Sequence, residues 1–430
     1  MQRPILAATG GVLAFLIAAI LAWEAMPEQL VLAPSADRSG SGTQLYQDIG
    51  TISDINVAFA ARDGRLYGIQ DQYFYISDDG GRTFVRRGKL PPASNDLPTR
   101  IKDYIARLKL TRLIRRNRGP ENLIVLDSGT VLVFWDRIYR SVDDGATFQP
   151  VYNPSSHGIL GPFGNNEGVG AGPDKVYFGE YSALPRPHAI RMLEGSNDGR
   201  DWRVVHTFPS GDIFHIHSIT YDRYRNRYWI CTGDNDSEDR LLYTEDGFKT
   251  LHLLGGGSQE WRCVSLMITE NALVWGSDNN QTAAAINRWD FAKQRLEKVL
   301  EVGKPTYSST VLRNGMLVLS TVYEPTSPYT SRFHPTATTD LWVSPDGLCW
   351  NRILSLPYLP AKNRQGNMTR ASLSFPAGFP TEDLYFTPQH TTRDDFDTRV
   401  LKLDPANLPP CADRPAATSA TAGSAPVAAQ

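Results

Sequence analysis

Cysteine is scarce in this chain. Four in 430 residues is too few for a disulfide-built scaffold. A dominant charge of one sign is missing as well: 44 Lys and Arg face 46 Asp and Glu, a formal net charge of −2. That balance excludes a globally basic nucleic-acid binder. With 41 % hydrophobic residues, it also excludes a wholly disordered chain. What the chain has instead is turn-formers and aromatics, with 35 Gly, 29 Pro, 18 Tyr and 9 Trp. Such a composition fits a turn-rich β protein, and the length allows two or three ordinary domains or one large repeat architecture.

The two ends differ from the body. Residues 4–23 carry no charge, about the length of a bilayer-crossing helix. Arg3 precedes this run and Glu24 follows it, which places the bulk of the chain outside the cytoplasm. A cleaved signal peptide is the alternative, although Trp23 spoils the best cleavage site. The expected organisation is a transmembrane signal-anchor at 1–24, a linker at 25–45, a body at 46–405 and a tail at 406–430. The tail is rich in Pro, Ala, Ser and Thr and holds too little apolar material to fold. The expected location is membrane-anchored, facing the periplasm or the extracellular space, or secreted if the leader is removed.

Two repeats run in phase through the body. Ser77-Asp78-Asp79-Gly80-Gly81-Arg82-Thr83-Phe84 returns as Ser141-Val142-Asp143-Asp144-Gly145-Ala146-Thr147-Phe148. Shorter versions start at Ser196, Thr244 and Ser344, and a degenerate one lies at Arg288-Trp289-Asp290. Ser and Asp side chains bond nearby amides, Gly supplies positive φ, and the aromatic closes the turn on a core, so the motif is a structural turn. The second repeat is a pair of apolar runs around a polar turn. It recurs at 56–69, 122–135, 168–178, 215–231, 263–275, 309–322 and 371–386. The unit is four strands, A to D, about 50 residues long, which is the pattern of a β-propeller. The predicted fold is all-β, a seven-bladed propeller, with six blades as the alternative.

The turn motif resembles the Asp-box, or BNR, repeat of the sialidase superfamily of propellers. The resemblance covers 46–405 in architecture but only seven or eight residues per blade in sequence. It implies that the turns lie away from the active site. It also implies relatives that include sialidases, other glycan-active enzymes, receptors and assembly factors. Sialidases carry an Arg-Ile-Pro segment, an arginine triad and a Tyr–Glu nucleophile pair. No Arg-Ile-Pro segment occurs here, so a classical sialidase is not expected.

Blade geometry sorts the polar residues. Strand-A starts and B–C loops open on one face, and the turns lie on the other. His215 and His217 fall two residues apart on a predicted strand and so point to one side. That spacing suits two ligands of one divalent metal, with Glu180, Gln259 or Asp234 completing the set. Hydrogen-bonded histidines are the plainer alternative. Glu180 and Asp234 are candidate catalytic carboxylates, and Tyr181 a candidate nucleophile. Arg262, Arg332 and Arg370 come from successive blades and could grip a substrate carboxylate. Trp261 and Tyr307 could stack on sugar rings, with Gln259 and Glu167 as further substrate contacts. Asp278 and Glu324 also fall in the B–C loops. The reading is a membrane-anchored propeller acting on acidic or complex glycans as a hydrolase or a metal-assisted lyase. Its rival is a non-catalytic binding or assembly scaffold. A monomer that binds no nucleic acid is expected.

The small net charge hides one local excess. Residues 100–118 hold eight Lys and Arg and one acid, Asp103, a local charge of +7 that leaves −9 elsewhere. Ile101, Tyr104, Ile105 and Leu108 recur at helical spacing, so an inserted basic amphipathic helix is expected over 99–118. Such a helix suits anionic lipid or an acidic polymer; packing on the propeller wall is the alternative.

Overall fold

Short apolar runs separated by Asp-Gly, Ser-Gly and Asn-Gly turns make hairpins, and the computed structural model arranges them in seven sheets around a ring, antiparallel except where Ala377–Gly378 pairs in parallel with Phe59 and Ala60. It describes residues 18–23, 26, 28–35, 45–91, 96–108, 111, 120, 122–135, 137–153, 169–171, 175–180, 188–279, 281–327, 336–362 and 366–409. Blade 1 is built from Asn56–Ala60, Leu66–Gln70, Tyr73–Ser77 and Thr83–Lys89, strands A to D from the axis outward. Blade 4 is His215–Asp222, Arg227–Gly233, Arg240–Thr244 and His252–Gly256, and blade 6 is Thr306–Val311, Leu317–Thr321, Thr338–Ser344 and Asn351–Pro357. Blades 2, 3 and 5 follow the same order.

Blade 7 departs from it. Ser372–Ser374, Leu384–Gln389 and Thr398–Lys402 supply three strands, and Gln47–Ile52 from the other end of the chain supplies the fourth. Gln47 faces Lys402 and Ile52 faces Thr398, so the ring closes by hydrogen bonds between its first and last strands. Part of the expected linker is therefore strand. Gln29–Val31 pairs with the outer strand of blade 1, and Ala33–Pro34 pairs with Gln47–Ile52. The alternation there is too short to read from sequence, because Gln29–Val31 and Ala33–Pro34 span only three and two residues.

The repeated turns join strands C and D. In blade 2 the Thr147 amide and hydroxyl donate to Asp143 at 3.0 and 2.6 Å. The Gly145 amide donates to Ser141 Oγ at 2.9 Å. Gly145 has φ 76°, and a Cβ there would lie 2.1 Å from Phe74 of blade 1. The turn is thus pressed on the preceding blade. Its aromatic follows: Phe148 meets Phe74 edge-on at 5.4 Å, and Trp202 of blade 3 meets Phe134 of blade 2 at 6.0 Å; in blade 4 Phe248, at the place Gly145 holds in blade 2, meets Tyr177 of blade 3 at 4.5 Å. These turns staple each blade to its neighbour. The degenerate copy keeps the essential bond, with Asp290 accepting from the amides of Ala292 and Lys293.

Hydrogen bonds from Thr147 and Ser141 hold the Asp143 carboxyl at about 2, below its ordinary 3.8. A carboxyl depressed on folding stabilises the fold above its unfolded value, and that support is lost as pH falls toward 2. Asp143→Ala is expected to lower stability by about 1 kcal/mol at neutral pH. In chemical denaturation the wild-type advantage should disappear between pH 4 and pH 2. An equal difference at both ends of that range would refute the assignment.

The inserted helix spans Leu97–Arg107 and is capped at Leu108, so it begins earlier than the charge pattern suggests and ends well short of the expected 118; residues 109–110 and 112–119 lie outside the described residues. Asp96 caps it by accepting from the Thr99 amide at 2.9 Å, and Pro98 sits in its first turn. Among the described residues no helix is long and apolar enough to cross a membrane. Residues 1–17 and 410–430, and with them most of the expected anchor and the tail, lie outside the described residues.

Candidate metal centre at the funnel end

Strand A of blade 4 starts at His215, and strand B of the same blade ends at Gly233, directly before Asp234. The antiparallel pair sets His215 opposite Gly233, so the three side chains meet at one end of the blade. A carboxylate oxygen of Asp234 lies 3.9 Å from His215 Nδ1, and the other lies 3.9 Å from His217 Nε2. The two imidazole centroids are 4.4 Å apart. One potential ligand atom from each of the three residues lies within 4.8 Å of the others. The Cys263 carbonyl, which can only accept, lies 3.0 Å from His217 Nδ1. That contact keeps the Nδ1 proton in place and leaves the Nε2 lone pair for a ligand.

The next ring of side chains comes from blades 5 to 7. The Arg262 guanidinium reaches Asp234 and Asp278 at 2.8 Å each. Gln259 opens the short 3-10 turn before blade 5 and donates to Asp239 and Asp236 at 2.6 and 3.2 Å, while its Oε1 is buried without a hydrogen-bond partner. Asp239 in turn accepts from the Asp234 amide at 3.1 Å. Tyr307 at the start of blade 6 donates to Glu324 at 2.6 Å. Arg370, just before blade 7, lies 3.6 Å from Glu324 and 4.7 Å from the Tyr307 ring centroid.

Charge divides these carboxyls. Burial alone would raise Asp234, but its contact with His217 and the charges of His215 and Arg262 outweigh it and hold the group at about 2. Asp278 goes the other way. Burial pushes it up to about 6 against the pull of Arg262, and its Oδ1 has no hydrogen-bond partner. Burial likewise lifts Asp239 to about 7. Burial and the charges of Asp278 and Glu324 keep the Tyr307 phenol well above its usual value, so it is a proton donor rather than a phenolate. One firmly ionised carboxylate thus stands beside one poised to take or give a proton, which is the division of labour acid–base chemistry uses.

The structure brings His215, His217, Asp234, Gln259, Arg262, Tyr307 and Arg370 to this end. It places Glu180 and Trp261 differently. Glu180 accepts from the Arg191 amide at 3.0 Å and Nε at 2.7 Å, with Arg191 Nη2 also in contact, so its carboxylate is spent inside blade 3. Trp261 packs between Trp275 and Trp289 at 5.7 and 5.9 Å, so its ring is committed to the joint between blades 4 and 5. Glu167, Tyr181 and Arg332 lie outside the described residues. Asp278 and Glu324, which the sequence placed in the B–C loops without assigning them a role, belong to the cluster, as does Asp239. The available signal was position, since Asp278 and Glu324 each follow the end of a strand B, as Asp234 does.

No family model matches this chain, and no curated protein matches it in sequence. Solved structures share its fold. One is an oligogalacturonate lyase in complex with manganese, 9 % identical, with TM-score 0.52 over 89 % of this chain and 99 % of that one. Another is a GH74 xyloglucanase from Xanthomonas campestris, 14 % identical, with TM-score 0.50 over 86 % of this chain and 54 % of that one. The chain is an all-β seven-bladed propeller, and these glycan-acting proteins are similar to it in fold.

Proposed function

We propose that this chain is a glycan-cleaving enzyme with a divalent cation held by His215, His217 and Asp234, and that it acts on acidic polysaccharide by elimination. The observation that carries the reading is the donor set itself: two imidazoles and an ionised carboxylate converging at the funnel end, with one imidazole oriented by a backbone carbonyl. The buried, unpartnered Gln259 Oε1 offers a further oxygen. Imidazole with carboxylate suits manganese, zinc or iron. Bound there, the ion would supply Lewis-acid stabilisation of a substrate carboxylate as it gains charge. The manganese-bound lyase of similar fold supports this choice.

The chain's own residues do the remaining work. Arg262 fixes Asp234 and Asp278 in place. Asp278 Oδ1 takes up or returns a proton near neutral pH. Tyr307, whose hydroxyl donates to Glu324, would supply its proton to a leaving oxygen once turned from that carboxylate, and Arg370 adds positive charge beside it. The turn repeats support a place in the sialidase superfamily. Cys349 is disulfide-bonded, which supports the oxidising side of a membrane.

A second reading rests on the Tyr307–Glu324 hydrogen bond under Arg370. A tyrosine beside a carboxylate base is the nucleophile arrangement expected of a sialidase-like hydrolase. Product chemistry separates the two. With a panel of uronate-containing and neutral polysaccharides and added Mn²⁺, elimination yields an ultraviolet-absorbing unsaturated end, and chelation should abolish it. Saturated products only would favour hydrolysis. Binding without turnover across the panel would favour the scaffold.

A further inference from the structure

The helix Leu97–Arg107 shows solvent the wrong face for a helix packed on a protein. Leu97, Ile101, Tyr104 and Ile105 are 69, 50, 58 and 51 % exposed. Their spacing of four, three and one residues puts them on a single stripe. Arg100 and Lys102 are exposed as well. Five more basic residues follow at 109, 112, 115, 116 and 118, and Asp103 is the only acid in 100–118.

The placement of this helix adds a second argument. It follows the outer strand of blade 1, which runs from Thr83 to Lys89 toward the funnel end, where Leu90 donates to Gln72 in the B–C turn. Gln29–Val31 lies antiparallel on that same strand, and Arg86 contacts Glu28 and the Met26 carbonyl. The chain leading from the uncharged run at 4–23 therefore arrives at the same blade edge, from the same end, as the helix departs.

We propose that this helix is a membrane-docking element: it lies in the interface of an anionic bilayer, its apolar stripe inserted and its basic residues on the headgroups. Exposed apolar side chains flanked by cations suit that surface. The rest of the chain, at −9, does not. Together with the N-terminal run, the helix makes a two-point contact at one edge of the ring, beside the funnel end.

The test uses the full chain with Tyr104→Cys carrying an environment-sensitive fluorophore. Leu253→Cys, labelled on the outer strand of blade 4 where Leu253 is 61 % exposed, is the control. In phosphatidylcholine vesicles containing phosphatidylglycerol, the 104 label should shift to the blue and brighten roughly twofold or more. Pure phosphatidylcholine, high salt or Arg100→Glu with Lys102→Glu should reverse the change, while the 253 label stays water-like throughout. Circular dichroism confirms that each variant is folded. A water-like 104 label on anionic vesicles overturns the proposal. So does a lipid-independent shift that grows with protein concentration, which would assign the stripe to a second copy of the chain.

Discussion

His217→Ala is expected to remove most of the metal affinity of the funnel end. Titration calorimetry with Mn²⁺ or Zn²⁺ should show binding weakened about a hundredfold or more, since this change deletes a ligand and even supporting partners of such ligands cost 10- to 100-fold. Asp234→Ala should do the same for a second reason. It removes one of the two carboxylates that the nearly buried Arg262 reaches, so it should also lower stability by about 3 kcal/mol. His217→Ala leaves both carboxylates of Arg262 in place and loses a contact with the Cys263 carbonyl, so its stability cost should be smaller, and the contrast separates ligation from packing. Binding should also weaken in acid, where imidazoles take up protons and no longer donate lone pairs. Wild-type protein that binds neither ion would sink the metal reading outright.

Ring closure supplies the second large effect. A chain beginning at residue 45 keeps Gln47–Ile52 and should unfold in one cooperative step. A chain beginning at residue 53 loses that strand. It uncovers the edge of Thr398–Lys402 and removes Ile52, which is fully buried against Tyr75, Phe84 and Val400. With several ladder hydrogen bonds and the apolar contacts gone, the loss is about 5 kcal/mol. Broadened unfolding and aggregation should follow from the open strand edge. Thermal unfolding of the two fragments decides the matter: coincident midpoints would mean that the closing strand contributes nothing.

The blades were legible because each is local. A strand, a turn of Asn, Asp or Gly and a second strand fall within about fifteen residues, and the S-x-D-x-G turn marks where strand C ends. Gln47–Ile52 was not legible as the closing strand. Nothing within reach of it in sequence is its partner, and its pairing depends on the geometry of the whole ring. The same distinction divides the candidate site. His215 and His217 could be read because strand parity alone puts them on one side. Glu180 and Asp234 look alike in sequence, each just past a strand B. Arg191 on the neighbouring strand claims the first, and only the three-dimensional pairing shows it. Trp261 was misread for the opposite reason. An aromatic near a predicted mouth suggests a sugar platform, yet two tryptophans of blade 5 close over it. Asp278 shows a further limit, since its proton affinity is set by burial working against the charge of Arg262, and neither is visible along the chain.

The closing strand also sets the order of events during synthesis. Gln47–Ile52 leaves the ribosome early, and its partner Thr398–Lys402 emerges only after all seven inner hairpins have been made. Until then both ends of the growing ring are open, each an unpaired strand edge able to pair with another chain. The early blades can fold as they appear, because their contacts are local. The last step has to bring together residues about 350 positions apart, a loop closure that makes it slow relative to hairpin formation. Anything that holds the N-terminal end in place during that wait would shorten the search, and a lipid-bound helix beside blade 1 would do so.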